Sequence, residues 1–146
     1  MAGAQRIDPY KNFRFLVEIE GIQQAGFMEC SGLGSQVEVI EYREGGDPSW
    51  VRKMPGRVFY PDIVLKRGVT QNQELYQWHQ AVIQGELVRK NGSVILQDAQ
   101  GNEVIRWNFF NAWPSKWAGP TLDGKGNEVA IEELTLTCEQ QALASP

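Results

Sequence analysis

His79 is the only histidine in the chain. It sits in TQNQELYQWHQAVIQG beside Trp78 with no nucleophile close in sequence. A triad would have to recruit Cys30 or Cys138 from a distant strand, and neither has the setting of an activated nucleophile. A partly exposed helix histidine is the better reading. Glu132 and Glu133 are the obvious carboxylate pair, but neighbours on a strand point to opposite faces and cannot share one substrate.

The remaining motifs are equally weak as chemistry. SGLGS, residues 31–35, lacks the third glycine, the following helix and the lysine of a phosphate cradle. DAQGNE and DGKGNE lack the twelve-residue ligand spacing of a calcium loop and read as turns. The two cysteines have no metal-ligand spacing and read as reduced, buried, small hydrophobes. WNFFNAWPSKW gathers Trp107, Phe109, Phe110, Trp113 and Trp117, which could stack on a sugar or a single-stranded nucleic acid. Such residues more often fill a core or a subunit interface. No catalytic, cofactor or metal site is expected, and the competing readings are a small β-barrel module binding a ligand through these tryptophans and a hydrolase using His79.

The elements that would position these residues are mostly strands. FRFLVEI, residues 13–19, alternates with Phe13, Phe15, Val17 and Ile19 on one face, and a turn over 21–26 follows. FMECSGLGSQVEVIEY, broken by Gly32 and Gly34, predicts two strands or one bent strand ending near Tyr42. Strand character resumes at VFYPDIVLK, residues 58–66, where Pro61 calls for an edge, a bulge or a bend. One helix is expected over about 70–84, with Thr70 as cap, Gln73 completing a capping box, Gly85 as stop, and Leu75, Trp78 and Val82 as its apolar stripe. SVILQ, EVIRWNFFNAW and EVAIEELTLTCE complete the strands, with a break at Pro114. The last of these changes apolar parity between Ile131 and Leu134, which requires either a bulge near Glu132-Glu133 or a strand apolar on both sides. The fold class is mainly β, a two-sheet β-barrel or sandwich with one flanking helix, forming a single domain over 1–146.

One stretch exceeds what a turn needs: REGGDPSWVRKMPGR, residues 43–57, predicts a long extended loop. Its basic group, Arg52, Lys53 and Arg57, lies beside Glu44 and Asp47, and in a lone monomer would be a solvated face. The chain's formal net charge of −4 gives its surface no overall attraction for a polyanion. The N-terminus has no signal-peptide core and no apolar run is long enough to span a bilayer, so synthesis and folding in the cytoplasm without a membrane anchor are expected.

DPYKNFRFLVEIEG, FMECSGLGSQVEVIEYREGG, KMPGRVFYPDIVLKRGVTQNQELYQWH and NAWPSKW, in this order, resemble the tail tube proteins of contractile phages and the inner-tube proteins of phage-like contractile injection systems. These are related in fold to the haemolysin-coregulated protein of type VI secretion. The resemblance covers roughly residues 8 to 140. It implies a structural, non-enzymatic subunit with no cofactor, whose hexameric rings stack into a rigid hollow tube inside a contractile sheath. The implied partners are further copies of the chain, the sheath, baseplate or spike and terminator proteins at the ends, and a cargo in the lumen, either a protein effector or phage DNA. Such a particle assembles in the bacterial cytoplasm and can be released from the cell. By position, residues 43–57 would then be the loop reaching adjoining subunits or the next ring, with Arg43, Glu44, Asp47, Trp50, Arg52, Lys53, Met54 and Arg57 as its contact residues. The lumen wall would come from the strands around 37–42 and 58–66 and the C-terminal strand, with its facing parity open.

Overall fold

The computed structural model describes residues 14–46, 49–126 and 128–144, without the side chains of Gln23, Gln24 and Ala25. In chain order the strands are β1 (Phe15–Ile19), β2 (Ile22–Ala25), β3 (Glu29–Ser31), β4 (Gln36–Tyr42), β5 (Arg52–Phe59) and β6 (Ile63–Gly68). Helix α1 (Glu74–Ile83) follows, then β7 (Lys90–Gln97), β8 (Glu103–Ala118), β9 (Ile131–Thr137) and β10 (Gln140–Leu143). Eight of the strands form one antiparallel sheet in the order β2-β1-β7-β8-β9-β6-β3, with β10 also on β8. The other two, β4 and β5, pair only with each other. The end strands β2 and β3 do not pair, so the sheet folds over without closing into a barrel.

The fold-over is made by β8. Its first part pairs with β7 and, at Trp107–Phe110 just before the bend, with β10, and its last part pairs with β9. At the bend Asn111 adopts φ 52°, a left-handed conformation that asparagine tolerates better than most residues. Its N–H donates to Asn91 Oδ1 at 2.9 Å and its Nδ2 to Glu139 Oε2 at 3.1 Å, so both flanks hold the conformation. Pro114 does not end the strand. It has no N–H to give, and the register shifts between Pro114 and Lys116 while pairing continues to Ala118.

One apolar core lies between the two layers. Val17, Val94 and Phe109 face Ile63, Leu65, Leu134 and Leu136, with Leu75 and Trp78 of α1 joining them. Gly92 makes this packing possible: a Cβ there would overlap the Phe109 ring and the Glu18 carbonyl. The parity conflict in the last long strand has a different solution from a bulge at Glu132-Glu133. β9 pairs with β6 in unbroken register, Glu132 turns inward with Leu134 and Leu136, and Ile131 and Val129 stay exposed.

Three boundaries differ from the sequence expectation. The segment at 21–26 is a tight turn at Gly21, φ 73°, followed by strand β2. The helix starts at Glu74 because Asn72 Oδ1 accepts the Glu74 N–H at 2.9 Å and Thr70 Oγ1 accepts the Asn72 N–H at 3.3 Å. Local side-chain turns thus take the groups that a helix beginning near Thr70 would have used, and no capping box forms. Third, residues 52–57 belong to β5, so the excursion is a β-ribbon with a connection of 43–51. Gly92→Ala is expected to destabilise the fold by about 3 kcal/mol through forced repacking of Phe109, which thermal unfolding followed by circular dichroism will measure.

Candidate functional site: an exposed ribbon and its root

The β4–β5 ribbon stands apart from the core, and almost every residue along it is exposed. Its register places Ile40 opposite Met54 and Tyr42 opposite Arg52 on one face, with Phe59 opposite Gln36 at the base. Val37 opposite Val58, Val39 opposite Pro55 and Glu41 opposite Lys53 form the other. Gly56 lets the strands stay close at the register shift, since a Cβ would press on Ile40. Both faces are therefore substantially apolar and bare, with Val39 61% and Trp50 58% exposed. A lone two-stranded ribbon is marginal in water, and a contiguous apolar surface of this kind marks an interaction site.

The expected contact residues gather here. Arg43, Glu44 and Trp50 lie in the connection, and Arg52, Lys53, Met54 and Arg57 on β5. Asp47 lies outside the described residues. Arg52 Nε approaches Glu44 Oε2 at 3.9 Å, an exposed pair of little intrinsic strength.

The root of the ribbon is fixed by Gln141 on β10, whose importance the sequence did not signal. Its Nε2 donates to the Gly32 carbonyl at 3.0 Å and to the Pro61 carbonyl at 2.9 Å, and its Oε1 accepts the Gly34 N–H at 3.1 Å. The two breaks, between β3 and β4 and between β5 and β6, are thereby tied to one side chain. Gly32, φ 90°, packs so tightly on the Asp62 carbonyl that a Cβ would overlap it.

Residues singled out for chemistry have structural surroundings. His79 Nδ1–H donates to the Pro114 carbonyl at 3.0 Å and satisfies a backbone group at the β8 register shift. Cys138 is buried, and burial pushes the Cys30 thiol up to about 11, which keeps it protonated and unreactive at neutral pH. Phe109 is buried and Trp107, Trp113 and Trp117 pack against the core, so these rings do not present a stacking platform. In the 98–102 turn, backbone hydrogen bonding, chiefly from Asn102, lowers the Asp98 carboxyl, as suits an ordinary turn. No group of three or more His, Cys, Asp or Glu residues suited to a metal occurs among the described residues. No helix among them is long and apolar enough to cross a membrane.

Among the described residues one buried ion pair, Arg67–Glu132, links the neighbouring strands β6 and β9. Arg67, 5% exposed, donates through Nε to Glu132 and through a terminal nitrogen to the Asn72 carbonyl at 2.9 Å, beside a cleft lined by Val69, Tyr76 and Trp117. It holds the segment before α1 against β9.

Residues 11–141 match the family described as T4-like virus tail tube protein gp19. The chain belongs to this family. Among solved structures, a chain of the anti-feeding prophage tube-terminating cap is similar at 28% identity, with a TM-score of 0.89 over 99% of this chain and 97% of that one. A chain of the PVC sheath-tube complex, an extracellular contractile injection system in its extended state, is similar at 28% identity and TM-score 0.85 over 94% and 93%. Hcp1 from Flavobacterium johnsoniae shares the fold at 16% identity and TM-score 0.60 over 90% and 94%. No curated protein sequence matches the chain. The chain is thus a tail tube subunit.

Two variants separate support from function. His79→Ala removes one hydrogen bond and is expected to cost about 1 kcal/mol in chemical denaturation while leaving assembly intact by electron microscopy. Arg67→Ala leaves Glu132 buried without its partner and is expected to cost about 3–5 kcal/mol, with the Arg67→Met, Glu132→Leu double variant recovering most of that loss.

Proposed function

We propose that copies of this tail tube subunit close into hexameric rings, that the rings stack into a hollow tube, and that the β4–β5 ribbon is the joint. The observation that carries this reading is the ribbon, extended and apolar on both faces but covered by nothing in its own subunit. Burying each large apolar side chain of such a ribbon contributes about 1.5–3 kcal/mol. The stabilisation a lone ribbon lacks becomes available when a neighbour covers it.

The ribbon supplies two kinds of contact. Trp50 and Met54 anchor in apolar pockets of adjoining copies, and Arg43, Arg52, Lys53 and Arg57 find carboxylates there, with Glu44 and Asp47 offering the reverse pairing. Head-to-tail contacts between identical copies generate a ring when the rotation closes, and stacking of unlike ring faces propagates a filament. The free edges at β3 and β4 are further surfaces for pairing with another copy. Hexamers fit a structural neighbour from the anti-feeding prophage baseplate, whose structure is 6-fold symmetrised.

The other solved relatives supply the partners: a sheath around the tube, a terminator or cap at one end, and a baseplate at the other. In this reading the subunit is made in the bacterial cytoplasm, joins a phage-tail-like particle, and leaves the cell within it. The tube's work is mechanical and needs no cofactor. Sheath contraction drives it through a target envelope, and its lumen carries a protein effector in an injection particle or DNA in a phage.

Negative-stain microscopy of the purified protein is expected to show rings or tubes with six-fold symmetry. A protein that stays monomeric at high concentration with sheath and baseplate partners supplied would overturn the reading. Replacing residues 37–58 with a short Gly-Ser linker should leave the circular dichroism of the core and its melting transition nearly unchanged while abolishing tube growth. Tubes of normal length from that variant would remove the ribbon from the joint.

A further inference from the structure

Copies joined head to tail bring one patch of a subunit against a different patch of the next, so a tube subunit needs two unlike surfaces. The ribbon is the first. The second must be concave and apolar, because Trp50 in the ribbon's connection is a large exposed ring that needs a pocket. A cleft of about 260 Å³ at the start of α1 has that character, lined by Val69, Gln73, Tyr76 and Trp117 together with the Arg67–Glu132 pair. Tyr76 and Trp117 meet edge to face, with 5.0 Å between ring centroids. Val129 and Ile131, both exposed, continue the apolar surface where the Val69 N–H donates to the Ala130 carbonyl at 2.9 Å.

We infer that this cleft receives Trp50 of an adjoining copy of the chain, a deepening that rests on the tube reading of the previous section. The two surfaces lie at opposite ends of β6. Its first residue, Ile63, follows the ribbon's root, and its last, Gly68, leads into Val69 and Thr70 of the cleft. Six residues of strand, rising about 3.3 Å each, hold the two ends about 17 Å apart. A contact from one end to the other runs the same way in every subunit, as head-to-tail joining requires. Other clefts suit an indole less well. That lined by Glu18, Glu20, Asn91 and Ser93 is polar, and those at Leu33 and Trp107 lie at the base of the subunit's own ribbon.

The chemistry of the cleft matches the ring it would take. The Tyr76–Trp117 pair offers an aromatic wall. Its shape is set in advance, since Arg67 is tied to Glu132 and to the Asn72 carbonyl, while Asn72 Oδ1 and Thr70 Oγ1 are engaged in the turn before α1. Gln73 stands at the helix N-cap without a side-chain capping bond, which leaves its amide oxygen to accept the indole Nε1–H. Charge agrees as well. Arg43, Arg52 and Lys53 flank Trp50, whereas Glu74 follows Gln73 and Glu128 precedes Val129 at the cleft's margin.

Cross-linking tests the contact with Trp50 kept in place. Val51→Cys and Val69→Cys subunits, carrying different tags, are mixed, assembled into tubes and treated with a short bis-maleimide. Ser49→Cys with Gln73→Cys repeats the measurement, and all four replaced side chains are exposed. Each variant treated alone gives the background, reaction at Cys30 and Cys138 included. A variant that does not polymerise by itself is co-assembled with wild-type subunits. Both mixtures are expected to yield the doubly tagged dimer well above background. Normal tubes in which neither mixture does so overturn the inference and leave the tube reading standing. Trp50→Ala and Tyr76→Ala are each expected to raise the concentration needed for tube growth by roughly 30-fold, the loss typical of a central aromatic anchor. The double variant should need no more than the worse single one, because both remove the same contact. Losses that multiply would put the two residues in separate contacts and sink the inference. Wild-type protein that forms no tubes overturns it together with the assembly reading.

Discussion

The bend in β8 is the constraint on which the two-layer architecture depends. A single strand takes part in both layers, and it can do so only because Asn111 accepts a left-handed backbone and is held there from both sides. Upstream of the bend, Phe109 packs on Gly92 beneath β1; downstream, Pro114 and Trp117 lie against β9. Straightening β8 would separate Val94 and Phe109 from Leu134 and Leu136 and leave the core open to water. The buried Arg67–Glu132 pair is secondary to this bend, because β6 and β9 must already be in register for the two side chains to meet.

Much of this was legible in the residues. The period of two at Phe15, Val17 and Ile19 and the apolar spacing of Leu75 and Trp78 reported burial correctly, because alternation and helical stripes are direct consequences of facing one core, while Phe13 lies outside the described residues. The helix start was misplaced because Thr70, Asn72 and Gln73 are all plausible caps, and competition among local hydrogen bonds decides between them. Pro114 was read as a break because pattern alone does not reveal a bulge that spares its missing N–H. Of the two options for the parity change before Leu134, the unbulged strand with apolar residues on both faces is the one adopted, with Glu132 turned inward to the distant Arg67.

The candidate site divides in the same way. The excess length of 43–57 reflects an excursion from the core, but β5 begins inside that stretch, so most of its basic residues lie on a strand rather than in a loop. Alternation in QVEVIEY was visible, yet both of its faces are exposed in the subunit, a state that sequence periodicity cannot distinguish from a half-buried strand. Gln141 carried no signal, since its role depends on three backbone groups brought together by the fold.

That glutamine also orders events in time. Gly32 is synthesised 109 residues before the side chain that fastens it. Until β10 docks, the three Gln141 hydrogen bonds that tie Gly32, Gly34 and Pro61 together are missing. Chains cut short by interrupted translation or proteolysis would still carry the exposed apolar ribbon but lack the side chain that ties its two roots together.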